Sequence, residues 1–173
     1  MSFYINVYKL RRGVDVHALT YNNAYDETMT HIVHEKTGRY DMGDKYEAWV
    51  CGWDMYDLSN ELIDLTFKEL KGKVDNYYED SFWLIDRAAL KKFLDKKSIF
   101  YKEMKKIDHK ARKYDEDMAE EFVSKEIEKL YEETEFSCWG DDYAATKVFH
   151  FLDRIKSLLR RFPFDRVFLV SRG

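Results

Sequence analysis

Residues 87–135 read RAALKKFLDKKSIFYKEMKKIDHKARKYDEDMAEEFVSKEIEKLYEETE, and this stretch decides the kind of fold. From Arg87 to Lys113 there are eleven Lys/Arg against three Asp/Glu, a net of +8. From Tyr114 to Glu135 there are two Lys against ten Asp/Glu, a net of −8. Apolar residues keep helical spacing through both halves: Leu90, Phe93, Leu94, Tyr101, Met104, Ile107 and Ala111 in the first, Met118, Phe122, Val123, Ile127, Leu130 and Tyr131 in the second. No Gly or Pro lies between Gly72 and Gly140. The pattern predicts a helical hairpin, broken near Tyr114 or Asp115, whose arms attract each other, or else one long helix with a basic and an acidic end.

Outward from this stretch the period changes. Ser2–Lys9 alternates, with Phe3, Ile5 and Val7 on one side, which predicts a half-buried strand; Arg11-Arg12-Gly13 then turns the chain. Asn22 or Asn23 is expected to cap a helix to about Lys36 that stops at Gly38, although Thr28–His34 also reads as a strand. A second strand is expected over Tyr46–Cys51, broken by Gly52-Trp53-Asp54. Ser59 then caps a helix with Leu62, Ile63, Thr66, Phe67 and Leu70 inward and Gly72 at its C-terminal end. Phe82–Ile85 is a third strand and Asp86 an N-cap. Asp141 or Asp142 caps a last helix that Pro163 ends, and Val167–Val170 is a final strand buried on both faces.

Strands at both ends with helices between predict an α+β fold: a single domain over residues 1–173, with a small sheet that includes the first and last strands as neighbours. Within it, residues 87–135 form the helical hairpin or long helix. The 173 residues are enough for a sizeable core, and 17% aromatic content makes that core ring-rich. The net charge of −4 argues against a general affinity for nucleic acid, but residues 1–86 carry −7 and residues 136–173 carry +3, so local patches differ in sign from the whole. Cys51 and Cys138 make neither a disulfide framework nor a zinc site and are expected as free thiols. With no signal peptide and no apolar run of membrane length, a cytoplasmic location is expected. Abundant Lys, Asp, Tyr and Phe with scarce Ala, Gly and Pro suit an AT-rich genome such as that of a phage.

Four groups of residues carry candidate chemistry. Cys51-Gly52-Trp53-Asp54 resembles Cys138-Trp139-Gly140-Asp141. Trp53, Asp54, Asp57, Trp139, Asp141 and Asp142 can line one pocket in which indoles stack on a sugar or base and carboxylates act as acid and base or hold a divalent cation. The simpler reading makes the indoles core and the carboxylates helix caps. His31 and His34, with Glu35, share a helix face, but zincin spacing is missing, and solvated or hydrogen-bonded histidines are the simpler account. Lys92, Lys96, Lys106, Lys110 and Lys113 can track a phosphate backbone, or be a solvated face neutralised by the acidic arm. Asp115, Glu116, Asp117, Glu120, Glu121, Glu128, Glu132 and Glu133 form a carboxylate strip able to enter a basic groove on another protein, where phosphates would otherwise sit.

No phosphate-binding loop, dinucleotide fingerprint, nucleophile elbow, C-x-x-C or kinase signature is present. The sequence therefore leads to a small binding or regulatory protein whose partner is another protein, for example a phage-type inhibitor of a host protein. Glu120, Glu121, Glu128 and Glu132 are its expected partner-binding residues, with no cofactor, metal or membrane. The alternative is an enzyme or small-ligand sensor for a sugar, nucleotide or phosphoester, built on the Trp/Asp pocket; a third reading is nucleic-acid binding through the basic arm.

Overall fold

Alternation in the first described residues builds the middle of a sheet. The structure is a computed structural model that describes residues 4–39, 45–52, 55–72, 81–133 and 142–173. Strands β1 (Tyr4–Lys9), β2 (Glu47–Cys51), β3 (Lys68–Leu70), β4 (Ser81–Asp86) and β5 (Val167–Arg172) form one antiparallel sheet in the order β2-β1-β5-β4-β3. The N- and C-terminal strands are therefore central neighbours, with Val7 opposite Val170.

The period of two gives the sheet two faces and both are covered, so β1 is buried on both sides and is not the half-buried strand that its alternation predicts. Ile5 and Val7, Ala48 and Val50, Trp83 and Ile85, and Phe168 and Val170 point into the main core under the helices. Tyr8, Phe82, Leu84 and Leu169 point the other way, into a smaller core closed by Leu10, Leu19 and Ala24 from the segment after β1. On this second face the register sets Asn6 opposite Ser171, and the Asn6 amide donates to the Ser171 hydroxyl at 3.3 Å, so both polar groups are buried with a partner.

The helices are α1 (Met29–Thr37), α2 (Tyr56–Ile63), α3 (Arg87–Lys96), α4 (Ser98–Ala111), α5 (Glu116–Glu133) and α6 (Asp142–Arg161). Helix α6, about 30 Å long at 1.5 Å per residue, lays Val148, Phe151, Leu152, Ile155 and Leu158 into the main core. Its C-terminal end is tied to the turn that follows by Arg87, whose guanidinium donates to the oxygens of Leu159 (2.7 Å) in the last turn and of Phe162 (2.9 Å) and Asp165 (3.3 Å) beyond it.

Several sequence expectations are corrected. The helix expected from Asn22 or Asn23 is a 3-10 turn over Tyr25–Glu27 followed by α1, capped by the Thr28 hydroxyl, which accepts from His31 N–H; Gly38 ends it with φ +64°, as expected. The helix expected from Ser59 to Gly72 starts earlier, at Tyr56, and stops at Ile63. The Thr66 hydroxyl donates to the Ile63 carbonyl and the chain passes into β3, because Leu70 finds its partner in Phe82 across the sheet. Gly72 is no helix cap: a Cβ there would lie 2.3 Å from the Tyr21 ring, so it is glycine for close approach. The basic stretch is two helices, broken at Lys97, and the turn over residues 112–115 makes the arms a hairpin rather than one long helix. Asp86 caps α3 as expected, accepting from Ala89 N–H at 2.7 Å.

Candidate functional site

The hairpin of α4 and α5 is assembled from its apolar stripes. Tyr101, Met104 and Ile107 from α4 meet Ile127 and Leu130 from α5 in the main core, with Phe122 and Val123 packed against its edge. The two helices reverse at a tip where Tyr114 N–H donates to the Ala111 carbonyl and the Asp115 carboxylate accepts from Met118 N–H at 3.1 Å. Among the described residues, the ion pairs on α4 and α5 each run within one helix: Lys106–Glu103, Arg112–Asp108, Lys125–Glu121 and Lys129–Glu126. The expected attraction between arms is thus not made by contacts across the hairpin; apolar packing joins them, and the charges face water.

Glu120, Glu121, Glu128 and Glu132 are all exposed. Glu121, Glu128 and Glu132 are spaced seven and four apart, so they share one face of α5, opposite the side anchored by fully buried Ile127. The hydrogen bond from Lys125, and then its charge, hold the Glu121 carboxyl below the usual range. At the tip, Met118 is 55% and Tyr114 43% exposed, and the Tyr114 ring packs on half-buried Phe122 at 5.1 Å. Met118 was expected to point inward. It sits in the first turn of α5, beside the reversal, so the helical period continues where there is little left to pack on. In the sequence Tyr114 marks a break between the helices, and an aromatic at the turn of a charged hairpin is the signal for this exposed ring.

The other candidates fare differently. The break at Lys97 puts Lys92 and Lys96 on α3 and only Lys106, Lys110 and Lys113 on or after α4, so the basic residues do not line one continuous helix. Phe100 and Tyr101 between them are buried, which removes both rings as stacking platforms. Trp53, Asp54, Trp139, Asp141 and Cys138 lie outside the described residues. Asp57 is exposed in the first turn of α2, and Asp142 is the first residue of α6. The described flanks of the two Trp–Asp segments do converge: the Lys147 ammonium, on α6, donates to the Cys51 carbonyl at 2.7 Å and lies beside Gly52. Cys51 itself is a free, half-buried thiol. Trp49, two residues back along β2, has the Arg154 guanidinium 5.4 Å from its ring centre.

His31 and His34 share a shallow depression with Tyr25, Glu35 and Gly38. The His31 imidazole lies 3.5 Å from the Asp26 carboxylate and edge-on to Tyr25, a placement made by the turn before α1. Among the described residues, no group of three or more His, Cys, Asp or Glu side chains gathers closely enough to hold a metal ion, and no helix is long and apolar enough to cross a membrane. Compared with known proteins, the chain matches no protein-family model, no curated protein and no solved structure.

Proposed function

We propose that this chain works by binding another protein, through the exposed side and tip of the α4–α5 hairpin. The observation that carries this reading is the pairing of exposed carboxylates, the Glu121–Glu128–Glu132 stripe with Glu120 nearer the tip, with uncovered apolar side chains at the tip, Tyr114 and Met118, on a helix whose far side is fixed in the core. An apolar anchor beside a charged rim is the composition of a protein interface, and carboxylates in a row repel nucleic acid but complement a basic groove. Inhibition of a nucleic-acid-binding protein, by occupying the place of its phosphates, is the concrete form of this function.

The test is a pair of variants measured against the partner recovered by cross-linking in the native host. Reversing Glu120, Glu121, Glu128 and Glu132 to Lys keeps the buried stripe and should slow association at low salt. Met118→Ala with Tyr114→Ala should speed dissociation instead. Wild-type rates in both variants, with unchanged circular dichroism, would rule the hairpin out as the docking element.

A further inference from the structure

A second charged surface, of opposite sign, lies at the C-terminal end of β1. The turn after β1 and the turn between α6 and β5 enclose an open cleft of about 850 Å³. Its floor is apolar, with Leu10, Val14 and Val16, and its walls carry cations from both ends of the chain. Two of these are already engaged: Lys9 holds Asp165 at 2.6 Å, and Arg11 pairs with Glu27. Arg12, Arg161 and Arg166 are exposed and, among the described residues, belong to no ion pair. Beside them the Phe164 ring is 91% exposed, the least covered large apolar side chain described. At the end of α6, where partial negative charge opposes an anion, the Arg87 guanidinium bonds the carbonyls of Leu159 and, just past the helix, of Phe162 and Asp165.

The geometry points to a binding site for single-stranded nucleic acid, separate from the acidic hairpin. Uncommitted guanidinium groups along a trench match the phosphates of a flexible strand, each able to bind bidentately. A bare aromatic ring among them offers a face on which one base stacks, and the apolar floor accepts a neighbouring base turned out of the strand. A duplex keeps its bases stacked inside and has no use for either feature. An acidic peptide meets the arginines but gains nothing specific from the ring.

The test measures fluorescence anisotropy of a labelled oligothymidylate of about 15 nucleotides, long enough to span one such trench, against the full chain at several salt concentrations. Three phosphate contacts predict a slope of log affinity against log salt of about −2. Replacing Arg12, Arg161 and Arg166 together with Ala should weaken binding at least tenfold and flatten that slope. Phe164→Ala should weaken it about tenfold with the slope unchanged, and Phe164→Trp should restore it. Each single arginine variant should lose part of the affinity, so the test survives if the triple variant misfolds. The assignment is overturned if the strand does not bind, if binding ignores these substitutions, or if a duplex or polyglutamate competes as well per charge as the unlabelled strand.

Discussion

The Tyr101 hydroxyl on α4 donates to Asp153 Oδ1 on α6 across 2.6 Å, and the Lys156 ammonium sits 4.0 Å from the centre of the same ring. Burial first, and then the bond to an anion, push this phenol up to about 12 from 10.0. The fold favours the protonated form, so the contribution is complete below pH 10 and is lost as pH rises through 10 toward 12. Ultraviolet titration should show Tyr101 ionising late, and Tyr101→Phe should remove that step and flatten the loss of stability in the same window. An unchanged titration in Tyr101→Phe would mean that the phenol–carboxylate bond does not persist in solution.

The hairpin should respond to core truncation and not to loss of surface charge. Ile127 is fully buried, so Ile127→Ala should cost about 2–5 kcal/mol in urea unfolding. Phe122 is half-buried, and Phe122→Ala should cost less than the roughly 3 kcal/mol of a fully enclosed ring. Lys106→Ala removes an exposed pair within one turn and should stay within about 0.5 kcal/mol. Because the ion pairs on these helices are local and solvated, about 0.5 M salt should barely move the midpoint. A large salt effect would restore direct attraction between the arms.

Gly72 and Tyr21 should behave as one unit. A methyl group at position 72 meets Tyr21 Cγ at 2.3 Å and Cβ at 2.6 Å, too close for a rotamer change at the far end of the ring to relieve. Gly72→Ala should destabilise by about 1–3 kcal/mol. Added to Tyr21→Gly, which removes the ring and the Cβ together, it should cost much less. Additive losses in the double-mutant cycle would show that the two do not touch.

Lys97 is 5% exposed at the junction of α3 and α4, and its ammonium is paired with Glu61 on α2. Removing the Glu61 carboxylate weakens the compensation of a buried charge, so Glu61→Ala should destabilise, by an amount moderated by the partial exposure of that carboxylate. Replacing the cation by an apolar chain of similar length removes the problem with its cause, so Lys97→Met should be near neutral or stabilising. Denaturation midpoints that fall equally for the two variants would contradict this order.

Much of the architecture was legible because burial imposes a period. The apolar run at Val167–Val170 and the stripes of α4 and α6 bury what their spacing implied, and Tyr4–Lys9 is a strand, although both of its faces are covered and Met118 of the α5 stripe stays exposed. Lys97 itself falls on the stripe, three or four residues from Phe93, Phe100 and Tyr101; the period marked it as inward, but a basic run hides a single cation that is not solvated. Residues 59–72 misled because Leu62, Ile63, Thr66, Phe67 and Leu70 fit a helix equally well, and only the pairing of Leu70 with Phe82 selects the strand. The carboxylates of α5 were legible as a surface because charge rarely goes inside unpaired. The arginine cleft was not, since Arg12 and Arg161 are distant in sequence and meet only once β1 and β5 have paired.

That pairing also governs the order in which the molecule can be made. Tyr4 and Gly173 exchange backbone hydrogen bonds of 3.1 and 3.2 Å, and β5 lies between β1 and β4. On the ribosome the first strand emerges early and must wait for the last, so the two halves of the sheet stay apart, each with an open edge, until synthesis has passed Arg172. Such non-local closure is slow and leaves strand edges exposed to other chains. Joining residues 4 and 173 through a short linker and opening the chain at an exposed loop would let β1 and β5 be synthesised in immediate succession, turning the slowest contact of the fold into a local hairpin.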